Sequence, residues 1–246
     1  MPGIKAGING QINNNIVTNG LEFYIDPAYK ISYPRTGTIV TDIINGLSGS
    51  IHNDVDFIQS PMSWDFDGID DTIELESSLN SIVEAYTNSV SISCWFKPTN
   101  LSTRRGIIGN YVQAAGIGFY IDIIRVNDTT FKTQGGYHQT STKYLLRQNN
   151  TNLSINNWYN VTMTIASGGG SGNSNIYTNG VLDNGSEYRV APDSSYSATV
   201  PTKIAFVAYA GDEIIGQISS TMIYNKVLSA GEVLQIYQAQ KERFGF

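Results

Sequence analysis

Apolar and polar residues alternate along much of this chain, and turn residues break the alternation at short intervals. The alternation is clear in Leu21–Asp26, Val90–Lys97 and Trp158–Ala166. Successive side chains of a β-strand point to opposite faces, so these segments bury one face and leave the other polar. Many short strands of this kind predict an all-β sandwich.

Other segments extend this pattern along the chain. Further strands are predicted over Met62–Phe66, Thr72–Leu75, Gly106–Tyr111, Gly116–Ile124, Thr130–Gln134, Lys143–Arg147, Asn175–Thr178, Lys203–Tyr209 and Ile214–Tyr224. Residues 67–71 predict a hairpin turn between two of them, and the glycine run 168–172 predicts a hairpin loop. A single helix is predicted over 229–242, where Ser229 and Glu232 fit a capping box.

The chain predicts one folded domain, residues 19–246, preceded by an arm, residues 1–18. No change of composition and no internal repeat divides its 246 residues. Isoleucines recur in the arm at every fourth position: Ile4, Ile8, Ile12 and Ile16. Glycines and an Asn run oppose a helix there, so we expect an extended docking arm that orders on a neighbouring subunit. The alternative is a frayed terminus.

Composition excludes several classes of partner. The formal net charge is −6 and the isoelectric point is near 4.8. Nucleic-acid binding requires a field of Lys and Arg, so no nucleic-acid partner is expected. No apolar run is long enough for a membrane span, and the first residues lack a signal peptide, so we expect synthesis in a cytoplasm and no membrane partner. The single cysteine, Cys94, lies in an apolar strand and is expected in the core.

The sequence offers little catalytic chemistry. Its two histidines, His52 and His138, form no zinc-binding pattern. Glu74 and Glu76 are spaced to share a strand face, as a glycosidase pair would be, but no third acid accompanies them. Two strand-end charges are therefore the simpler interpretation. We expect no catalytic residue, no cofactor and no metal.

Five segments, in order along the chain, resemble one known family. They are Asn19–Pro27, Trp64–Ile73, Ser91–Pro98, Asn157–Thr164 with Ile176–Gly180, and Ile223–Ser229. This set resembles the laminin-G-like members of the concanavalin A-like lectin/glucanase superfamily. The resemblance implies an all-β jelly-roll sandwich of two antiparallel sheets with one short C-terminal helix.

The resemblance also bears on individual residues. Trp95 and Trp158 lie in apolar strands, so we interpret both as core residues and not as sugar platforms. The acidic turn at 67–71 is interpreted as a stabilised turn and not as a calcium site. Family members often carry an Asp-Glu pair that helps to hold calcium, where this chain has Ser219 and Ser220. This difference favours the absence of a metal.

The resemblance is strongest to a phage-borne branch of the family, through Ser32–Pro34 and the last residues of the chain. It implies a non-enzymatic virion protein of a tailed bacteriophage, as a capsid decoration, fibre or tail component. Its expected partners are other virion proteins, further copies of itself and cell-surface glycans. Its expected location is the virion, after synthesis in the host cytoplasm.

The main alternative is a free carbohydrate-binding module or lectin. Sugar recognition uses aromatic platforms beside polar side chains. Tyr137, His138 and Tyr144 are the candidate glycan-binding residues, although a solvated hairpin tip would also explain them. A glycoside hydrolase is the third hypothesis. A glycan array separates the first two hypotheses, and activity on polysaccharides tests the third.

Overall fold

The computed structural model describes residues 15–101, 104–206 and 213–246, and its strands form two antiparallel sheets. The eight strands of the first sheet are β1 (Leu21–Ile25), β4 (Asp56–Gln59), β5 (Met62–Asp67), β7 (Val90–Pro98), β13 (Tyr159–Ile165), β14 (Ser174–Thr178), β15 (Val181–Leu182) and β18 (Ile215–Tyr224). They run in the order β15-β14-β13-β7-β18-β5-β4, and β1 also pairs with β18. The predicted sandwich of two antiparallel sheets is confirmed.

The second sheet has ten strands. They are β2 (Ile39–Thr41), β3 (Ser48–His52), β6 (Thr72–Leu75), β8 (Arg104–Gly109), β9 (Gly118–Arg125), β10 (Thr130–Thr140), β11 (Lys143–Asn149), β12 (Leu153–Ser154), β16 (Asn184–Val190) and β17 (Lys203–Ile204). Their order is β16-β11-β10-β9-β8-β17-β6-β3-β2, and β12 pairs with β10. The helical segments are a short α1 (Asn80–Val83), α2 (Ala230–Gln240) and 3₁₀ turns at Ser77–Leu79 and Lys241–Phe244.

The main core lies between the sheets and consists of every second residue of the central strands. Trp64, Phe96 and Phe131 are buried there together with Cys94, as expected for this residue. Full burial of a large apolar side chain contributes roughly 1.5–3 kcal/mol. The alternation seen in the sequence is thus the alternation between this core and the two outer faces.

Helix α2 covers the outer face of the eight-stranded sheet. It begins at the predicted capping box, in which Ser229 and Glu232 satisfy each other's backbone N–H groups. Val233 and Ile236 pack against strands β1 and β18. The 3₁₀ turn that follows is fixed by Arg243, whose Nη1 donates to both carboxylate oxygens of the buried Asp26 at 2.8 and 2.9 Å. The helix is therefore fixed at both ends.

The predicted hairpin across residues 62–75 is wrong. β5 pairs with β4 and β18 in one sheet, whereas β6 pairs with β3 and β17 in the other. The acidic turn at 67–71 therefore crosses between the sheets. Two strands that follow each other in the chain form a hairpin only if both belong to the same sheet. Alternation of apolar and polar residues does not show to which sheet a strand belongs.

The arm hypothesis concerns residues that the structure describes only in part. Ile4, Ile8 and Ile12 lie outside the described residues. Ile16 is buried beside Tyr24 and Tyr224 in the cluster under α2. The main chain of this segment is also tied to the domain, because the Tyr224 hydroxyl donates to the carbonyl of residue 17 at 3.1 Å. Ile16 is therefore packed on its own domain and is not available for docking on a neighbour.

Candidate functional site

The outer face of the ten-stranded sheet carries the candidate site. In β9 the residues Phe119, Ile121 and Ile123 face the core, so Tyr120 and Asp122 face outward. The same alternation in β10 directs Tyr137 into the core. Its neighbours in sequence, including His138, therefore lie on the outer face.

Aromatic rings on this face form a continuous cluster. The His138 ring centroid lies 4.8 Å from that of Tyr111, 5.0 Å from that of Tyr144 and 5.8 Å from that of Tyr120. Tyr111 and Tyr120 are 5.4 Å apart with their rings edge to face. Tyr111, Tyr120 and His138 are buried, whereas Tyr144 is half-buried at the margin of the cluster. Tyr144 can therefore offer part of its ring to a ligand.

Polar groups lie beside the rings. Gln134 Nε2 donates to the Tyr120 hydroxyl at 3.3 Å, and that hydroxyl lies 3.4 Å from His138 Nε2. Asp122 is directly opposite Gln134 in the strand register and is fully buried. The surface thus combines aromatic rings with hydrogen-bonding side chains.

Two glycines shape the floor of this surface. The strand register places Gly109, Tyr120, Gly136, Leu146 and Tyr188 in one row across β8, β9, β10, β11 and β16. Gly136 has φ of 149°, and a Cβ atom there would lie 2.0 Å from a main-chain carbonyl oxygen of β11. Gly136 therefore stands where the main chains of β10 and β11 approach each other too closely for any larger residue.

This outer face carries an open cleft of about 420 Å³, lined by Ile124, Gln134, Tyr144, Leu146 and Tyr188. Tyr188 is 45% exposed. A cleft with partly exposed tyrosines and a few hydrogen-bonding groups can stack a flat apolar ring face and bind polar substituents at its rim.

A second cleft, of about 490 Å³, lies beside the C-terminal helix and includes Asp26, Tyr29 and Arg243. Although it is larger, its strongest polar groups already bind each other, because Arg243 donates to both oxygens of Asp26. We therefore place the candidate ligand site in the aromatic cleft.

The structure brings together two of the three predicted glycan-binding residues. His138 and Tyr144 lie in the same cluster, although His138 is mostly covered. The prediction for Tyr137 is wrong, because this residue is 0% exposed and lies between the sheets. Sequence reasoning missed Tyr188 and Gln134. Tyr188 gave little signal because its strand β16 is mostly polar and exposed.

The acidic turn brings three carboxylates together. Oxygen atoms of Asp67, Asp70 and Asp71 all lie within 4.8 Å of one another. Asp71 is buried, and this burial raises the pKa of its carboxyl group. Asp71 also accepts the backbone N–H of Asp67 at 3.0 Å, as expected of a stabilised turn. The absence of a metal remains a prediction.

Trp95 and Trp158 are buried, as predicted, but outside the core between the sheets. They pack with Phe244 on the outer face of the eight-stranded sheet. Trp95 stacks on Phe244 with centroids 4.0 Å apart, and its Nε1 donates to Gln240 at 2.9 Å. Ser219 and Ser220 are buried and bind Arg243 and Gln240.

Solved structures with the same fold include three of diverse activity. The receptor-binding domain of botulinum neurotoxin D aligns with TM-score 0.64 and 15% identity, over 93% of this chain and 54% of that one. Domain 4 of AbnA, a GH43 extracellular arabinanase from Geobacillus stearothermophilus solved with arabinotriose, aligns with TM-score 0.64 and 16% identity, over 89% and 98%. The Trypanosoma rangeli sialidase with the inhibitor DANA aligns with TM-score 0.63 and 12% identity, over 93% and 34%.

This chain therefore spans about a third of the sialidase's length and about half of the neurotoxin domain's. At these identities the likeness concerns the fold alone. A search among curated proteins gave no match. In the part of the chain that the structure describes, no helix has both the length and the apolar character needed to cross a membrane.

A family comparison covers most of the chain. The family Laminin_G_3, described as Concanavalin A-like lectin/glucanases superfamily, matches residues 67–234. The matched range includes the acidic turn, Trp95, Trp158 and the strands that form the aromatic cleft. Since it exceeds half of the chain, this protein belongs to the Laminin_G_3 family of the concanavalin A-like lectin/glucanase superfamily.

Proposed function

We propose that this protein is a non-enzymatic, lectin-like protein that binds carbohydrate in the cleft on the ten-stranded sheet. One observation carries the proposal: two partly exposed tyrosines, Tyr144 and Tyr188, line an open cleft together with the amide of Gln134. The apolar face of a sugar ring stacks on an aromatic ring, while its hydroxyl groups need donors and acceptors nearby. This cleft offers both.

The shape of the cleft suits a chain of sugars. It is open and its lining residues come from four neighbouring strands, so it does not enclose a ligand and leaves space for more than one sugar. One solved structure of the same fold, domain 4 of AbnA, was determined with arabinotriose. This supports the proposal by analogy of fold, and the identity of the sugar is left to the experiment.

The positions of the carboxyl groups favour binding without catalysis. Glycoside hydrolysis generally uses two carboxyl groups about 5–9.5 Å apart across the bond to be cleaved. Among the described residues, none that lines the cleft carries a carboxyl group, and the adjacent Asp122 is fully buried. Glu74 lies on β6, which β8 and β17 separate from β9, and its carboxylate forms an ion pair with Lys203 at 2.9 Å.

We also propose that the protein works on the virion of a tailed bacteriophage, as a capsid decoration, fibre or tail component. The sequence resemblance to phage-borne members of the family supports this setting. Its partners would be other virion proteins and cell-surface glycans, and the net charge of −6 argues against nucleic acid. Peptides of this chain should appear in mass spectra of purified virions. Their absence from the particles would refute this setting.

A glycan array followed by calorimetric titration tests the binding proposal. The full chain is screened on the array, and the oligosaccharide that binds best is then titrated. Tyr144→Ala and Tyr188→Ala should each weaken its affinity by about two- to tenfold, since each removes one stacking surface. Ile69→Ala is the matched control, because Ile69 is 73% exposed on the acidic turn and lies outside the cleft.

Three outcomes would contradict the binding proposal. They are no binding to any glycan on the array, binding that neither tyrosine substitution weakens, and equal loss in the Ile69→Ala control. Release of reducing sugar from the bound oligosaccharide would contradict the non-enzymatic part alone.

A further inference from the structure

Strand β10 places a lysine beside the aromatic cleft. Phe131 and Tyr137 of this strand face the core. Residues at its even positions, Lys132 and Gln134 among them, therefore face outward. Lys132 lies directly opposite Ile124 of β9 in the strand register, and Ile124 lines the cleft. Because the Cβ atoms of opposed residues are only about 4.5–5.5 Å apart, Lys132 borders the cleft at its Ile124 end.

The ammonium group of Lys132 is not used within the domain. The side chain is half-buried and makes no hydrogen bond, ion pair or ring contact with the described part of the chain. Each of the other cationic side chains described in the ten-stranded sheet binds a carboxylate or a backbone carbonyl group: Arg105, Arg125, Lys143, Arg147, Arg189 and Lys203. Lys132 therefore has a charge to offer a ligand.

The surroundings of this lysine leave its charge uncompensated. Among the described residues, none that lines the cleft carries a carboxyl group. Asp122, its diagonal neighbour on the outer face, is fully buried and forms no ion pair with Lys132. The formal net charge of −6 gives the chain as a whole no general attraction for anions. An anion that binds here would therefore be held by the local charge of this lysine.

The lysine and a partly exposed tyrosine mark opposite ends of the cleft. Tyr144 in β11 lies opposite His138 of β10, on the far side of Gln134 from Lys132. A strand advances about 3.3 Å per residue, which places the positions of Lys132 and His138 about 20 Å apart. A ligand that contacts both ends is therefore extended, as an oligosaccharide is.

We propose that the cleft binds an acidic oligosaccharide and that Lys132 holds its anionic substituent. Tyr144 and Tyr188 stack on sugar rings further along the cleft. This inference rests on the proposed function and adds the class of sugar. A carboxylate and a sulfate ester both present anionic oxygens, to which the ammonium group donates charge-assisted hydrogen bonds. The ammonium group is a compact charge on a flexible stem, so it can reach either substituent.

Matched sugars test the proposal on the full chain. The glycan array is extended with tetrasaccharides of galactose, glucose and mannose. Each is present in a neutral form, in a form with one sugar oxidised to a uronic acid, and in a form with one sulfate ester. For the backbone that binds best, calorimetry should show that one of the two anionic forms binds about three- to tenfold more tightly than the neutral form. Comparison of the two anionic forms identifies the substituent.

Substitution of the lysine tests whether it carries this preference. Lys132→Gln should weaken binding of the preferred anionic tetrasaccharide about three- to tenfold, to the level of its neutral form, because the cation is lost. Lys132→Arg keeps the charge and should retain a preference for the anionic form. Lys30→Gln is the matched control, since Lys30 is exposed and lies outside the cleft. Circular dichroism checks that each variant folds.

Two results would overturn the proposal. One is a chain that binds the neutral tetrasaccharides at least as tightly as their anionic forms. The other is a preference for the anionic form that Lys132→Gln leaves intact or that Lys30→Gln reduces equally. In both cases, binding that depends on Tyr144 and Tyr188 would leave the proposed function standing. Absence of binding to every glycan on the array would refute both.

Discussion

The two outer faces of this sandwich carry similar aromatic residues but differ in what covers them. On the eight-stranded sheet, Trp95 and Trp158 lie beneath the C-terminal segment, which adds Tyr237 and Phe244 to the cluster. On the ten-stranded sheet, no described helix packs over the aromatic cluster, and Tyr188 stays exposed. We refer to these as the covered face and the open face.

Aromatic residues on an outer face therefore do not by themselves identify a binding surface. On the covered face, Trp95 uses both its ring and its N–H within the chain, so it has nothing left to offer a ligand. On the open face, Tyr144 and Tyr188 are only partly covered. Aromatic residues that another element covers stabilise the fold, whereas aromatic residues that stay uncovered can bind a ligand.

The largest expected effect is on the free energy of unfolding, and it differs between the two faces. Trp95→Ala should lower the free energy of unfolding by about 3–5 kcal/mol, because it leaves a large cavity under the helix. Tyr188→Ala should change it by only about 0.5 kcal/mol, as surface substitutions do. Urea unfolding measures both values. Equal losses in the two variants would refute the distinction between the faces.

Replacing each of two glycines by alanine should change the stability of the protein in opposite directions. Gly136→Ala on the open face should destabilise the protein by about 1–3 kcal/mol, because φ is positive and the new Cβ meets a carbonyl oxygen. Gly231→Ala in α2, where nothing lies within 4 Å, should stabilise it by about 0.5 kcal/mol through helix propensity. Thermal unfolding of both variants tests this. A tolerated Gly136→Ala would show that the close approach of β10 and β11 does not constrain this position.

The smallest effect concerns a charge on the covered face. Burial, and secondarily the neighbouring Asp56, raises the pKa of Asp65. Asp65 therefore favours the folded state at low pH, and this contribution is lost as the pH rises from about 4 through the raised pKa. Asp65→Asn should stabilise the protein at pH 7 by about 0.5 kcal/mol or less, given solvent screening.

Urea unfolding at two pH values checks the sign. The gain from Asp65→Asn should disappear at about pH 3, where both folded and unfolded states hold the proton. An equal gain at both pH values would assign the effect to packing instead of charge.

Much of the fold could be predicted from the sequence, because the strands that face the core alternate strongly. The segments predicted over β7, β13 and β18 match the observed strands within about two residues. The same signal failed at residues 62–75, because alternation shows that one face is buried but not in which sheet. It also missed β16, in which five of the seven residues are exposed.

The candidate site could be predicted only in part, for a related reason. Tyr137 and His138 are adjacent, so in a strand they must face opposite sides. The sequence could not show which of them faces the core, and it was Tyr137. The cleft itself arises from residues of several strands brought together by the register, which no local pattern contains.

The position of β18 bears on how the chain is made. This strand pairs with β1, β5 and β7, yet it is the last strand in the sequence. During synthesis, these three strands would therefore remain without their shared neighbour until Ile215–Tyr224 has emerged. Such long-range pairing slows folding and exposes strand edges to aggregation. A chain released before residue 215 would lack the strand that joins its sheet, so the sandwich can fold only after β18 has been synthesised.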